Sequence, residues 1–187
     1  MKQQLEIERK FIVSQLPEGL LEKAVGEKIK QGYLILENQR ELRIRQRNNL
    51  CWMTLKQGSG LERFEQECQI PDEQFKMLWP LTEGKRIEKI RYLVENCGHV
   101  FEIDIFSGSL ASLLVLEVEF SSVEASRKFR VPDFVKKEVT DDKNYKNAAL
   151  ATDGLPKSFS PEVLLSKELI GEIITNTATG KGYDERN

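Results

Sequence analysis

Histidine and cysteine are scarce in this chain of 187 residues. Because His99 is the only histidine, a His-based zinc site or a Ser–His–Asp triad has almost nothing to work with. The three cysteines, Cys51, Cys68 and Cys97, are far apart and form no Cys-x-x-Cys pair, which indicates reduced thiols in a cytoplasmic protein. If the protein is an enzyme, its proton chemistry must therefore come from carboxylates, from lysines or from a bound metal ion.

Long hydrophobic runs and an excess of one charge are also missing. The run Leu113–Leu116 is far too short to span a bilayer, and the N-terminal residues do not resemble a signal peptide. The 28 basic and 30 acidic residues give a net charge of −2, although charged residues make up 31% of the chain. Since neither sign dominates, we expect no nucleic-acid partner and no membrane partner.

The chain is predicted to be rich in short strands joined by tight turns. Eight segments are predicted as strands, at about 5–12, 28–37, 40–48, 51–58, 63–70, 85–96, 99–107 and 113–120. Turn signals such as Asn48-Asn49 imply antiparallel neighbours. Helices are predicted at 18–24, 72–79, 122–129, 144–151 and 161–174. The length suits a single domain over residues 1–174, with a flexible tail at 175–187.

The first predicted strand carries the most informative pattern. The period of two places Glu6, Glu8 and Lys10 on one face and the apolar residues Leu5, Ile7 and Phe11 on the other. Two like charges on alternate residues repel each other unless something lies between them. Either bulk water or a divalent metal that carries a phosphate would have to lie between these two carboxylates.

Paired like charges recur on the other predicted strands. The pairs are Arg43 and Arg45, Glu65 and Glu67, Lys89 and Arg91, Glu102 and Asp104, and Glu117 and Glu119. A sheet with one wet face also alternates polar and apolar residues, so any one pair is explained by solvent exposure. Selection for solubility would mix the signs within a strand, however, because like charges so close repel by about 1 kcal/mol in water. The whole set favours a closed barrel with its charged faces inward and its apolar faces covered by helices. Carboxylates there could bind Mg²⁺ or Mn²⁺, and the cations could hold a polyanion.

These motifs resemble those of the CYTH superfamily, the triphosphate tunnel metalloenzymes. Glu6-Ile7-Glu8-Arg9-Lys10 resembles the family's Glu-x-Glu-x-Lys signature. The other motifs follow in the family's order: Arg43-Ile44-Arg45, Lys56 in Thr-Leu-Lys-Gln-Gly, Glu65-Gln66-Glu67, Lys89-Ile90-Arg91, Glu102-Ile103-Asp104, Glu117-Val118-Glu119 and a closing segment at 141–147. The resemblance covers about residues 5–151.

The resemblance implies an α+β fold, an eight-stranded antiparallel β-barrel tunnel with a charged lumen, flanked by several helices. It implies that a triphosphate lies in the lumen with a divalent cation, Mg²⁺ or Mn²⁺. The residues that it assigns to the substrate are Lys10, Arg43, Arg45, Lys56, Lys89, Arg91 and Lys143. Those that it assigns to the metal are Glu6, Glu8, Asp104, Glu117 and Glu119, and the catalytic residues are Lys89, Glu117 and Glu119.

Among the activities of this family, the short chain is most similar to the inorganic triphosphatases. We therefore expect hydrolysis of the terminal phosphate of a small triphosphate, with inorganic tripolyphosphate as the substrate. We expect a cytoplasmic protein, and a homodimer is a possible assembly. A class IV-type adenylate cyclase is the first alternative, although those cyclases carry a His-Phe motif and His99 is followed by Val100. A non-catalytic module that binds polyphosphates or nucleotides is the second.

Overall fold

The structure, a computed structural model, describes residues 7–37, 40–57 and 64–160. Nine strands form one antiparallel sheet. They are β1 (Ile7–Val13), β2 (Gly26–Glu37), β3 (Arg40–Arg47), β4 (Leu50–Gln57), β5 (Phe64–Ile70), β6 (Arg86–Asn96), β7 (His99–Phe106), β8 (Leu114–Phe120) and β9 (Val135–Glu138). The eight predicted strands are confirmed to within a few residues at each end.

The sheet runs in the order β5-β4-β3-β2-β6-β7-β8-β1-β9. Strand β1 pairs with β8, so the first strand lies beside the last strand of the predicted eight. The prediction of eight strands missed β9, which pairs with β1. Its sequence, Val135-Lys136-Lys137-Glu138, has no apolar alternation, and only the pairing with β1 makes it a strand. In the part of the chain that the structure describes, β5 and β9 do not pair with each other.

The apolar faces of the strands form the core outside the curved sheet. One cluster joins Phe11 and Val13 of β1 to the alternating apolar residues of β7 and β8. It is covered by Phe129 and by partly buried residues of the segment before β2 and of the short helix α2 (Val123–Lys128). Burying a large apolar side chain stabilises a fold by about 1.5–3 kcal/mol. Burial of these apolar faces against the covering segments therefore strongly stabilises this arrangement of the sheet.

Two further helices cover other parts of the sheet. Phe75 of α1 (Asp72–Leu78) is buried with Ile44 and Cys51, and a 3₁₀ turn at Trp79–Thr82 extends this helix. Leu150 of α3 (Asn147–Asp153) is buried in a cluster with residues of β1, β6, β7 and β8.

The predicted helices differ in outcome. Those at 72–79 and 122–129 correspond to α1 and α2, and that at 144–151 to a 3₁₀ turn at Lys143–Tyr145 followed by α3. The helix predicted at 18–24 is wrong, since the segment forms successive turns in which Gly19 has a φ of 79°, a left-handed conformation that ends an α-helix. The helix predicted at 161–174 and the tail at 175–187 lie outside the described residues.

Cys51, Cys68 and Cys97 are all free thiols. No helix in the described ranges is long and apolar enough to cross a membrane.

Candidate active site

The charged faces of the strands enclose a cavity of about 790 Å³. Strands β1 to β6 and β8 contribute to its lining, as does α3, so the sheet curves around it. Its cationic side chains are Lys10, Arg40, Arg43, Arg45, Lys56, Lys89, Arg91 and Lys146. Its carboxylates are Glu8, Glu37, Glu41, Glu65, Glu67 and Glu117. The alternation of the strands thus sends the charges inward and the apolar residues outward.

One side of the cavity, which we call the buried wall, is built by β1, β6, β7 and β8. It consists of Lys10, Lys89, Arg91, Asp104 and Glu117, whose side chains are mostly inaccessible to solvent. Arg91 is its hub. The Arg91 guanidinium donates to Asp104 through Nε and Nη2, to Glu117 Oε2 through Nη2 at 2.6 Å, and to Glu102 through Nη1.

Lys10 and Lys89 complete the buried wall. Lys10 Nζ lies 2.7 Å from Glu117 Oε1, and Lys89 Nζ donates to Asp104 Oδ2. Glu117 therefore holds one cation through each oxygen. Two carboxylates fix three cations in this way, because charge-assisted hydrogen bonds are strong where water is excluded.

Burial and the neighbouring charges shift the pKa values of this wall in opposite directions. Burial alone would raise the pKa of Glu117, but Lys89, Lys10 and Arg91 outweigh it and lower the pKa from 4.5 to about 2. Burial lowers the pKa of Lys89 in spite of the attraction of Asp104. Burial raises the pKa of Glu102 against the effect of Arg91. Glu117 is consequently a stable anion and a weak base.

The other side of the cavity, which we call the open wall, is built by β3, β4 and β5. It consists of Arg43, Arg45, Lys56, Glu41, Glu65 and Glu67. Its ion pairs are Arg45 with Glu67 at 2.9 Å, Lys56 with Glu65 at 2.9 Å, and Arg43 with Glu41 at 3.9 Å. The Glu65 side chain is 37% exposed and that of Glu67 is 30% exposed, so water competes for both carboxylates.

Two nitrogens of the open wall lack a partner among the described residues. They are the Nε atoms of Arg43 and Arg45, which are buried and make no hydrogen bond within residues 7–37, 40–57 and 64–160. Burial and the nearby charge of Arg43 lower the pKa of Arg45. Unsatisfied buried donors are costly, and an anion in the cavity would satisfy them.

Strand β2 joins the two walls with uncharged side chains that sequence reasoning missed. Tyr33 is 1% exposed, and its hydroxyl accepts a hydrogen bond from Gln31 Nε2 at 2.7 Å. Burial, followed by the charge of Glu41, raises the pKa of Tyr33. Ile29, Gln31 and Tyr33 are three successive alternate positions of β2 without a charge, so the pair of like charges that marked the other strands was absent there.

The structure brings most of the predicted site residues together. Those that line the cavity are Glu8, Lys10, Arg43, Arg45, Lys56, Lys89, Arg91 and Glu117. Asp104 belongs to the buried wall but does not line the cavity itself, because it lies behind Lys89 and Arg91 and contacts both. Glu119 lines a neighbouring pocket of about 520 Å³ together with Glu102. The predicted metal ligand Glu6 lies outside the described residues.

The lysine of the closing segment differs from expectation. Lys143 is exposed and is absent from the cavity lining, whereas Lys146, just before α3, belongs to that lining. Lys146 has no carboxylate within ion-pair distance among residues 7–37, 40–57 and 64–160. The assignment of Lys143 to the substrate stays a prediction.

A divalent metal fits this donor set as a partner of the phosphates. Glu8 pairs in register with Glu119 across β1 and β8, next to the pair of Lys10 with Glu117. Within the described ranges, no three acidic, histidine or cysteine side chains form a ready-made metal cage. Mg²⁺ commonly takes only one or two carboxylates and completes its shell with water and substrate phosphates, and carboxylate oxygen is the donor that it prefers.

Known proteins identify the family. No protein-family model matches the chain. The chain is 49% identical over 148 residues to an inorganic triphosphatase of Nitrosomonas europaea, a match that covers 78% of this chain and 96% of that protein. The chain belongs to the inorganic triphosphatase family of the CYTH superfamily.

Other members of the inorganic triphosphatase family agree. That of Acetivibrio thermocellus is 36% identical over 147 residues, which cover 78% of this chain and 92% of that protein. The crystal structure of an inorganic triphosphatase superposes with a TM-score of 0.67 at 44% identity, over 80% of this chain and 96% of that one. This likeness confirms the predicted tunnel-type fold class.

Proposed function

We propose that this protein hydrolyses the terminal phosphate of inorganic tripolyphosphate in its cavity, with Mg²⁺ or Mn²⁺ as cofactor. The observation that carries the proposal is the gathering of eight cationic side chains around one cavity. Tripolyphosphate is linear and highly charged and has no nucleobase or other ring. Its binding therefore needs cations along its length and no aromatic side chain for stacking. The names of the two relatives support the same activity.

The cations of the two walls bind the phosphates. Arg43 and Arg45 of the open wall offer donors in a planar fork, including their unpaired Nε atoms, which match phosphoryl oxygens. In the buried wall, ion pairs fix the charged side chains of Lys10, Lys89 and Arg91 before substrate arrives. Donors fixed in advance stabilise the charge that develops in the transition state, because they need little reorganisation. Lys89 is assigned to the leaving-group side.

The metal would be held by carboxylates of β1 and β8. The resemblance assigns Glu8, Asp104, Glu117 and Glu119 to this role, together with Glu6, which lies outside the described residues. A bound divalent ion would neutralise phosphate charge and polarise the reacting phosphoryl group. It would arrive with the substrate, which supplies further oxygen ligands.

The attacking water needs a base or an orienting group. Glu117 is poorly suited to accept its proton, since its pKa of about 2 makes it a weak base. Glu119 forms no ion pair in the part of the chain that the structure describes. We therefore assign the orientation of the water to Glu119, and to Glu117 the holding of Lys10 and Arg91.

The decisive experiment incubates the protein with tripolyphosphate, ATP or thiamine triphosphate. Each is tested with Mg²⁺, with Mn²⁺ and with EDTA, and both phosphate and cyclic AMP are measured. We expect metal-dependent phosphate release with tripolyphosphate as the preferred substrate. Cyclic AMP from ATP would favour the cyclase, and tight binding without any product would favour the binding module.

Location and assembly complete the proposal. We assign the protein to the cytoplasm, which the three free thiols support. The homodimer stays a prediction, which light scattering of the purified protein checks.

A further inference from the structure

Asp104 lies behind the cavity rather than in it. Its side chain is 0% exposed, while Lys89 and Arg91, the two cations that it contacts, both line the cavity. Arg91 and Asp104 are direct partners in the register of β6 and β7. The carboxylate is thus placed to act on the two cations and is shielded from the cavity itself.

Both oxygens of Asp104 are engaged by these cations. Oδ1 accepts from Arg91 Nε at 2.6 Å, and Oδ2 accepts from Arg91 Nη2 at 2.6 Å and from Lys89 Nζ. The contact with Arg91 is bidentate, which fixes the plane of the guanidinium as well as its position. A metal bound by Asp104 would have to displace one of these hydrogen bonds.

We propose that Asp104 is a positioning residue, which fixes Lys89 and Arg91 in the orientation in which they bind the phosphates of the substrate. The proposal rests on the proposed function. A lysine side chain loses rotamer freedom when it is held in one place, and Asp104 holds Lys89 there before substrate arrives. Substrate binding then no longer bears that cost, which is the advantage of preorganisation.

Charge and positioning predict opposite effects when Asp104 is neutralised. Asp104→Asn removes one negative charge beside a site for a polyanion, so charge alone predicts tighter binding of phosphate. Loss of positioning predicts weaker binding, because the bidentate contact is lost and Lys89 has lost its ionic partner. The sign of the change therefore separates the two explanations.

The test measures tripolyphosphate binding by calorimetry in EDTA, without metal and without turnover. We expect Asp104→Asn to weaken binding by roughly tenfold, as for the loss of a charge-assisted hydrogen bond. Glu37→Gln is the control for charge, since it removes the same charge from a residue that lines the cavity but belongs to neither wall. This control is expected to bind as tightly as the wild type or more tightly.

Two results would overturn the proposal. One is binding by Asp104→Asn that equals or exceeds that of the wild type. The other is a wild type that binds no tripolyphosphate in EDTA, since the cations then do not hold the phosphates by themselves. A protein that binds but does not hydrolyse would contradict the proposed function and leave the role of Asp104 intact.

A second pair of variants keeps the test usable if Asp104→Asn fails to fold. Lys89→Gln with Asp104→Asn removes both charges of the pair, which proteins tolerate better than one unpaired buried charge. Compared with Lys89→Gln alone, the double variant is expected to bind tripolyphosphate more weakly, because Arg91 still depends on Asp104. Equal binding by the two would contradict the proposal.

Metal affinity gives an independent readout. Mn²⁺ binding is followed by electron paramagnetic resonance in the presence of an imido-bridged triphosphate that resists hydrolysis, at a concentration that saturates both the wild type and the variant. We expect Asp104→Asn to keep its Mn²⁺ affinity while it loses metal-free triphosphate binding. The reverse result, weaker Mn²⁺ binding with triphosphate binding unchanged, would make Asp104 a metal ligand and overturn the proposal.

Discussion

The two walls of the cavity carry similar residues and differ in how solvent reaches them. Each wall has three cations and at least two carboxylates on alternating strand positions. In the buried wall, the Asp104 side chain is 0% exposed and that of Glu117 is 8% exposed, while both carboxylates that pair at 2.9 Å in the open wall are about a third exposed. The same ion-pair chemistry is therefore structural and rigid in one wall and adjustable in the other.

The physical reason is the dielectric surroundings of each pair. An ion pair in water gains little, because solvent already stabilises both charges, and the median exposed pair contributes about 0–1 kcal/mol. A buried pair has lost that solvation, so each charge depends on its partner. The buried wall should thus be sensitive to single substitutions in its stability, and the open wall mainly in its activity.

Removal of Arg91 should have the largest effect on stability. Arg91→Gln leaves Asp104, Glu102 and Glu117 without their shared cation, and an uncompensated buried charge costs about 3–5 kcal/mol. Urea unfolding followed by circular dichroism measures the loss. A change smaller than that of an open-wall variant would break the comparison.

Acid should weaken the buried wall through Glu117. Its pKa is lower in the folded state than in the unfolded state, so its contribution to stability is complete above pH 4.5 and is lost as the pH falls towards 2. In metal-free buffer, the gap in free energy of unfolding between wild type and Glu117→Gln should shrink from pH 6 to pH 3. A gap that stays constant over this range would contradict the assignment.

Arg45→Ala should lower activity without unfolding the protein. Loss of one preorganised donor to the reacting group reduces kcat by roughly 10²-fold in enzymes. Because its pair with Glu67 is partly exposed, the cost in stability should stay within about 1 kcal/mol. Steady-state kinetics and thermal unfolding of the same preparation measure both quantities. If the charged face of the sheet merely contacted solvent, Arg45→Ala would change neither kcat nor the free energy of unfolding.

The two lysines of the closing segment offer a matched pair. Lys146→Ala removes a cation of the cavity lining and should raise KM by roughly tenfold, as for one charged hydrogen bond. Lys143→Ala removes an equal charge from an exposed position outside that lining. A larger rise in KM for Lys143→Ala would support the assignment of Lys143 to the substrate that was made from the sequence.

Glu65→Gln should have the smallest effect on stability. Its carboxylate is 37% exposed, and its pair with Lys56 is expected to contribute about 0.2–1 kcal/mol. Differential scanning calorimetry against wild type measures this contribution. A loss as large as that of Arg91→Gln would show that the two walls do not differ.

Much of this arrangement could be predicted from the sequence because it depends on a local rule. The pleat sends alternate residues to opposite faces, so Arg43 with Arg45 and Lys89 with Arg91 had to share a face once their segments were strands. Tight turns then implied antiparallel neighbours. The rule did not predict strand β9, because its sequence has no apolar alternation. It also did not predict the turns at 18–24, where Gly19 has a left-handed conformation.

The sequence by itself determined which residues of a strand share a charged face and that their charges come in like-signed pairs. Only the tertiary structure decided how deeply each pair is buried, because burial depends on which strands and helices lie around it. It therefore gave Glu102 and Asp104, two residues apart on β7, different surroundings, with Glu102 partly accessible and Asp104 enclosed by Lys89 and Arg91. It also brought Lys146 of the distant closing segment into the cavity lining.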